Sequence, residues 1–214
     1  MEPVATAGVC VERGAKRVFA SALDWPGWSR SGRTVDEALE ALRSSWPRYV
    51  PVIRRAGGRA SISPPELVVT EDWPGTASTD FGVPAAIAAA DARPATAQEA
   101  KRLAAFVSAA WSTLDRAVAS APPELRKGPR GGGRDRDAMA QHVDQADIEY
   151  AKKIGVRQPS ASVADRRLAV LQARARPSDG SPLADRGWPS RYAARRIAWH
   201  ALDHAWEIKE RTET

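Results

Sequence analysis

All three histidines of the 214-residue chain, His142, His200 and His204, fall in its C-terminal half. His200 and His204 are four residues apart in Trp199-His200-Ala201-Leu202-Asp203-His204-Ala205-Trp206. On a helix, both rings would leave the same face, one turn apart. That stripe continues through Ala193, Ile197 and Ile208, which turns it toward an interior. His142 sits beside Met139, Val143 and Ala146 on a second apolar stripe. Imidazole nitrogens ligate Zn, Ni, Fe or Mn, and three of them leave positions open for water or substrate. A centre of that kind acts as a Lewis acid, or lowers the pKa of a bound water or thiol. An isolated i, i+4 pair is ordinary in cores and on surfaces. A third histidine on another inward stripe, with none elsewhere, points to a metal.

Several neighbours could support such a centre. Arg196 lies one turn before His200 on the same stripe, where it could hold an anionic group or simply pair with an acid. Asp203 and Glu207 could each orient an imidazole as an acceptor behind the metal ligands, or form ion pairs with nearby arginines. Tyr150 is a candidate proton donor or a core tyrosine, and Trp199 and Trp206 read as core packing. Other chemistry is missing. Gly131-Gly132-Gly133 lacks the Lys-Ser/Thr of a phosphate loop and reads as a flexible connection within 126–136. The single cysteine, Cys10, lies in an expected strand and reads as an inert buried thiol.

The elements that must position the histidines follow from periodicity. From Thr96 on, the pattern is helical throughout. Thr96-Ala97-Gln98-Glu99 forms a capping box, followed by Leu103, Phe106, Val107, Ala110, Leu114 and Val118. A second helix starts near Asp135, a third covers about 162–175, and a fourth runs from Pro189 to about Arg211. Before Pro94 the character changes. Short β-favouring runs over 9–13 and 17–23 flank a hairpin at Gly14-Ala15-Lys16, and a third strand is expected over 28–33. A helix opens on Thr34 and is kinked or ended by Pro47 and Pro51, and a last strand is expected at 66–70. The expected fold is an α+β unit over 1–72, a linker or wrapping loop over 73–95 with a short helix around 84–92, and an all-α up-down four-helix bundle over 96–214.

Two resemblances follow from these strings. One histidine on the second helix and His-x-x-x-His on the fourth, with His142 to Lys153 and Arg191 to His200 as local strings, resemble the DinB/YfiT-like metal-binding bundles over about 96–212. That resemblance implies a divalent metal on His142, His200 and His204, with Zn or Ni first and Mn or Fe as alternatives. It also implies a possible mycothiol- or bacillithiol-type thiol, an electrophilic substrate, S-transfer or isomerisation, and a homodimer; Arg196, from its place on the stripe, could then contact the thiol's carboxylate or sugar. Phe19 to Trp28, then Gly32-Arg33-Thr34 and Glu37-Ala38-Leu39, resemble the HicB-like antitoxin unit over about 9–70. No helix-turn-helix or ribbon-helix-helix follows it, so a ligand-binding, regulatory or dimerising module is expected rather than an antitoxin.

Composition bounds these readings. Hydrophobic residues make up 43% of the chain, which suits a packed core, and no run of eighteen apolar residues exists to span a membrane. The opening Met1-Glu2-Pro3-Val4 does not read as a signal peptide, and with one cysteine a reducing, cytoplasmic setting is expected. The net charge of +6 comes without a nucleic-acid-binding motif, and acids are interspersed with the bases, so nucleic acid is not the expected partner. The alternative to a metal-dependent thiol transferase is a non-catalytic regulatory or ligand-binding protein with a structural or vestigial metal. An antitoxin-like nucleic-acid-associated factor comes third.

Overall fold

The computed structural model describes residues 6–128, 133–157 and 161–212. The opening residues and residues 129–132 of the expected glycine-rich connection lie outside them. The elements are β1 (Thr6–Arg13), β2 (Val18–Ala22), β3 (Ser29–Gly32), α1 (Val35–Ser44), α2 (Trp46–Arg55), β4 (Glu66–Pro74), α3 (Ala77–Phe81), a 3-10 turn (Ala89–Ala92), α4 (Ala97–Ser120), α5 (Arg136–Lys153), α6 (Val163–Arg174) and α7 (Ser190–Glu210).

The strands form one mixed sheet in the order β3-β2-β1-β4, with β4 parallel to β1 and the other pairs antiparallel. The expected hairpin closes through Gly14 N–H donating to Arg17 O at 2.9 Å. In the β1–β2 register, Val9 and Val11 share a face with Ala22 and Ala20, while Cys10 and Glu12 face the other way with Ser21 and Phe19. Every residue of β2 is buried. Both faces of the sheet are therefore covered at β2, which is why it lacks the alternation of a half-exposed strand, while the edge strand β4 stays largely exposed.

On the first face, the expected single helix is two. Thr34 Oγ1 accepts from Glu37 N–H and starts α1, and the chain breaks at Ser45. Pro47 lacks an N–H to continue the ladder, but in the first turn of α2 that donor is not needed. The break is filled with aromatic rings. Trp28 stacks on Tyr49 with centroids 5.7 Å apart and donates from Nε1 to Leu42 O and Ser45 Oγ. Tyr49 stacks in turn on Phe106 of α4 at 6.3 Å. The Trp25–Trp28 turn docks on α7 through Gly27, whose φ is +90°. A Cβ there would fall 2.7 Å from Leu202 Cδ1. Only glycine combines that backbone with that approach.

The second face is covered by residues 75–96, a wrapping strap in which the expected helix over 84–92 shrinks to one 3-10 turn. Three carboxylates pin it, Glu12 and Asp91 buried and Glu71 half-buried. Glu12 accepts from the N–H groups of Ala85 and Ala86, each at 2.8 Å. Glu71 accepts from Ala89 and Ala90. Asp91 receives Nε of Arg195 on α7 at 3.0 Å. These groups satisfy amides that a strand or helix would otherwise pair.

The helical half is not the expected four-helix bundle. The protein is α+β, with a four-stranded sheet and seven α-helices among the described residues, and α4–α7 do not close on one another alone. α4 packs chiefly on α7, α5 rests on α7, α6 lies against α4 and α5, and α2 joins them against α4. The reason lies in α7. Tyr192, Arg195, Ile197, Trp199, His200, Leu202, Trp206 and Ile208 are all buried, so this helix is covered all round rather than along one stripe. Phe19 of the sheet meets Trp199 edge-on at 6.0 Å, while His200 turns toward α5. The main hydrophobic cluster runs from Ala7 of the sheet to Ile208 of α7, with a small separate one of Cys10, Leu23 and Ala88 under the strap. No described helix is long and apolar enough to cross a membrane.

Candidate metal centre

α7 carries His200 and His204 one turn apart, and α5 lays His142 against both. Ring centroids are 5.2 Å apart for His142–His200, 5.0 Å for His142–His204 and 4.7 Å for His200–His204. One nitrogen from each ring lies within 4.8 Å of the other two. Around a shared tetrahedral ion, three imidazole nitrogens stand roughly 3.3 Å apart, so small side-chain rotations close the set. His200 is buried, while His142 and His204 are half-buried, so the cluster is open toward solvent on one side. This three-histidine group could hold a metal ion.

Electrostatics favour the ligating form. Burial pushes the His200 imidazolium down to about 2, helped by the adjacent His204 and Arg196. Burial also lowers His142, with Arg134 adding to it. Both rings are thus neutral near pH 7 and present a lone pair. Glu207 is held below its ordinary value by its hydrogen bond with His204, and by Arg211. As a carboxylate it can only accept, so the 3.2 Å contact is His204 Nδ1–H donating to Glu207 Oε2. That fixes the tautomer and leaves Nε2 with the free pair. Nδ1 of His200 is buried with no hydrogen-bonded partner. An unsatisfied buried nitrogen within an all-imidazole donor set fits a borderline divalent cation such as Zn or Ni.

No family model, curated protein or solved structure matches the chain. The centre is therefore read from its own geometry.

Around the centre, Arg196 Nη2 donates to Tyr150 Oη at 2.8 Å, and its guanidinium lies 4.8 Å from the Trp199 ring. Arg196 Nη1 is buried without a hydrogen-bonded partner. Tyr150 stands 5.6 Å from His200, ring to ring, and burial raises its pKa, so it stays protonated. The two acids expected behind the ligands part company. Glu207 holds His204, whereas Asp203 turns away to Arg30 of β3 at 3.2 Å and makes no hydrogen bond to an imidazole among the described residues. Trp206 receives the Arg30 guanidinium on its face at 4.0 Å, and Cys10 is buried, its thiol pushed up to about 12 by desolvation.

Two features escape sequence reasoning. Trp188, from the loop before α7, packs on Tyr150 at 5.1 Å, and nothing in its local string marks it. Asp147 is buried at 4% exposure with neither carboxylate oxygen hydrogen-bonded. Its signal was present: an acid next to Ala146, one turn past Val143, on a stripe otherwise read as apolar.

Removing the anchor behind one ligand gives a direct check. Glu207→Ala is expected to weaken Zn affinity about 10- to 100-fold in chelator competition. Asp203→Asn should leave it within about threefold, because Asp203 serves Arg30 instead. Equal losses in the two variants would show that Glu207 has no special role.

Proposed function

We propose that His142, His200 and His204 hold one divalent metal ion, and that the centre serves transfer of a small anionic thiol to an electrophilic substrate. The observation that carries this reading is the packing of three imidazoles, two of them held neutral, with Nδ1 of His200 buried and unpartnered. When bound, a divalent ion on three imidazoles supplies open positions and lowers the pKa of a bound thiol or water.

The protein's own groups do the rest. Glu207 keeps His204 in the ligating tautomer. The free Nη1 of Arg196 is a donor for a carboxylate on the thiol, while its Nη2 is already committed to Tyr150. Because Tyr150 Oη accepts that bond, its own proton remains available to an oxyanion on the substrate. Trp188, Tyr150 and Trp199 supply an apolar wall.

Cobalt-loaded protein titrated with N-acetylcysteine or with neutral 2-mercaptoethanol tests this through the thiolate-to-metal absorption band. The carboxylated thiol is expected to saturate at roughly tenfold lower concentration, and Arg196→Gln should erase the difference. Thiol-dependent consumption of an electrophilic alkene then reports turnover. If metal raises the melting temperature but neither thiol gives a band, the metal is structural and the transferase reading fails.

A further inference from the structure

A second cleft, of about 670 Å³, opens at the outer corner of the sheet, where the β1–β2 turn, the end of β3 and the end of α3 meet. It is of ligand size. Three cations line it, Lys16, Arg17 and Arg33, and none of them has an ion-pair partner within 4.0 Å among the described residues.

The two acids in the cleft are engaged by backbone. Asp80 accepts from Lys16 N–H at 2.7 Å and from the neighbouring amides of the turn, and Glu37 accepts from Arg33 N–H at 2.7 Å. Their oxygens organise the loops and leave the guanidinium groups to the cleft. Arg17 is aimed across it by donating from Nη1 to Ser31 Oγ at 3.3 Å. On the rim stands Phe81, the last residue of α3, 86% exposed. Ordinary packing gives that ring no role, and an exposed ring is costly in water.

We propose that this corner binds a nucleobase-phosphate unit, with Arg17, Arg33 and Lys16 on the phosphate and Phe81 stacked on the base. Unpaired cations beside an open aromatic face are the recurring pieces of single-strand recognition. A base paired within a duplex has its faces stacked and cannot reach Phe81. The chemistry is shared by a free nucleotide and by a single strand. The charge count alone gave no sign of it, because Arg33 and Phe81 come from segments distant from Lys16-Arg17 that only the fold brings to one corner.

Fluorescence anisotropy on the full chain, with a labelled single-stranded RNA of about eight nucleotides, tests the assignment. Adenosine monophosphate and the matching duplex serve as competitors. The strand should bind, and more weakly as salt rises. Phe81→Ala should cost about tenfold. Arg17→Gln with Arg33→Gln should cost at least about tenfold and reduce the salt slope by about two. Arg33 and Phe81 are exposed and Arg17 half-buried, and unchanged thermal melting checks that the variants are folded. Competition by the mononucleotide at comparable concentration assigns a free nucleotide, and its failure assigns a strand. No binding overturns the proposal. So does binding that duplex competes equally and Phe81→Ala leaves intact, which would be plain polyanion attraction to a chain of net charge +6.

Discussion

Untagged protein incubated with Zn or Ni and then desalted is expected to carry about one equivalent of metal by mass spectrometry, and the His200→Ala, His204→Ala double variant essentially none. The reason is geometric. These two residues supply two of the three imidazoles from one face of α7, and His142 alone offers a single monodentate ligand. Binding to the folded state only should also stabilise it. With free metal at about 100 times the dissociation constant, the gain is about 2.7 kcal/mol, or roughly 5–10 °C in melting temperature for a chain of this size. The double variant should show no such rise. Because His200 is buried and its truncation leaves a void, His142→Ala, at a half-buried position, provides an independent test with less risk to the fold. A parent that stays empty after incubation with Zn, Ni and Mn would end the metal hypothesis and make the three rings packing residues.

The second large effect belongs to Asp147. Its carboxyl is raised from 3.8 to about 7, chiefly by burial. Arg166 and Arg167 face it from α6, but Arg166 is bonded to Asp144 and Arg167 to Asp115 at 2.9 Å. Trp111 Nε1 on α4 approaches the carboxyl and draws its pKa down somewhat, without reaching hydrogen-bond geometry. The folded protein therefore keeps a proton that the unfolded chain releases above about pH 4. Protons bound to the folded state and not to the unfolded one make stability fall as pH rises. The loss begins near the unfolded value of 3.8 and levels off above about 7. Three pH units correspond to on the order of 4 kcal/mol. Asp147→Asn keeps the shape and removes the titration. Denaturant melts of the two proteins should therefore diverge in favour of asparagine by several kcal/mol between pH 4 and pH 8. Parallel curves would mean that Asp147 is ionised throughout and finds its partners in the folded state.

Local chemistry was the most legible part of this fold. Thr34 and Thr96 each accept from the amide three residues on, as their capping sequences implied, and the hairpin at Gly14 closes where a turn was expected. The i, i+4 spacing of His200 and His204, with His142 on another inward stripe, was enough to anticipate the cluster, because a helix converts spacing into direction without help from tertiary structure. What failed was the inference from four periodic segments to four helices closing on themselves. Periodicity identifies a face to be buried but not what buries it. α7 presents Trp199 to the sheet, Leu202 to the Trp25–Trp28 turn and His200 to α5, an all-round burial already hinted at by Ala193, Ala194, Ala198, Ala201 and Ala205. The strap was equally opaque. Its order comes from the side chains of Glu12, Glu71 and Asp91, far away in sequence or outside any repeating pattern.

The central place of α7 also has a consequence for biosynthesis. Every other described element leaves the ribosome before Ser190–Glu210 does, yet Phe19, Gly27 and the apolar stripe of α4 complete their packing only against that helix. A nascent chain halted short of residue 190 would hold a formed hairpin and capped helices with their inner surfaces bare, a species suited to chaperone capture and prone to self-association. Folding of the described layers is thus timed by α7: the layers translated first must wait, and their closure comes as a late cooperative event once that helix has emerged.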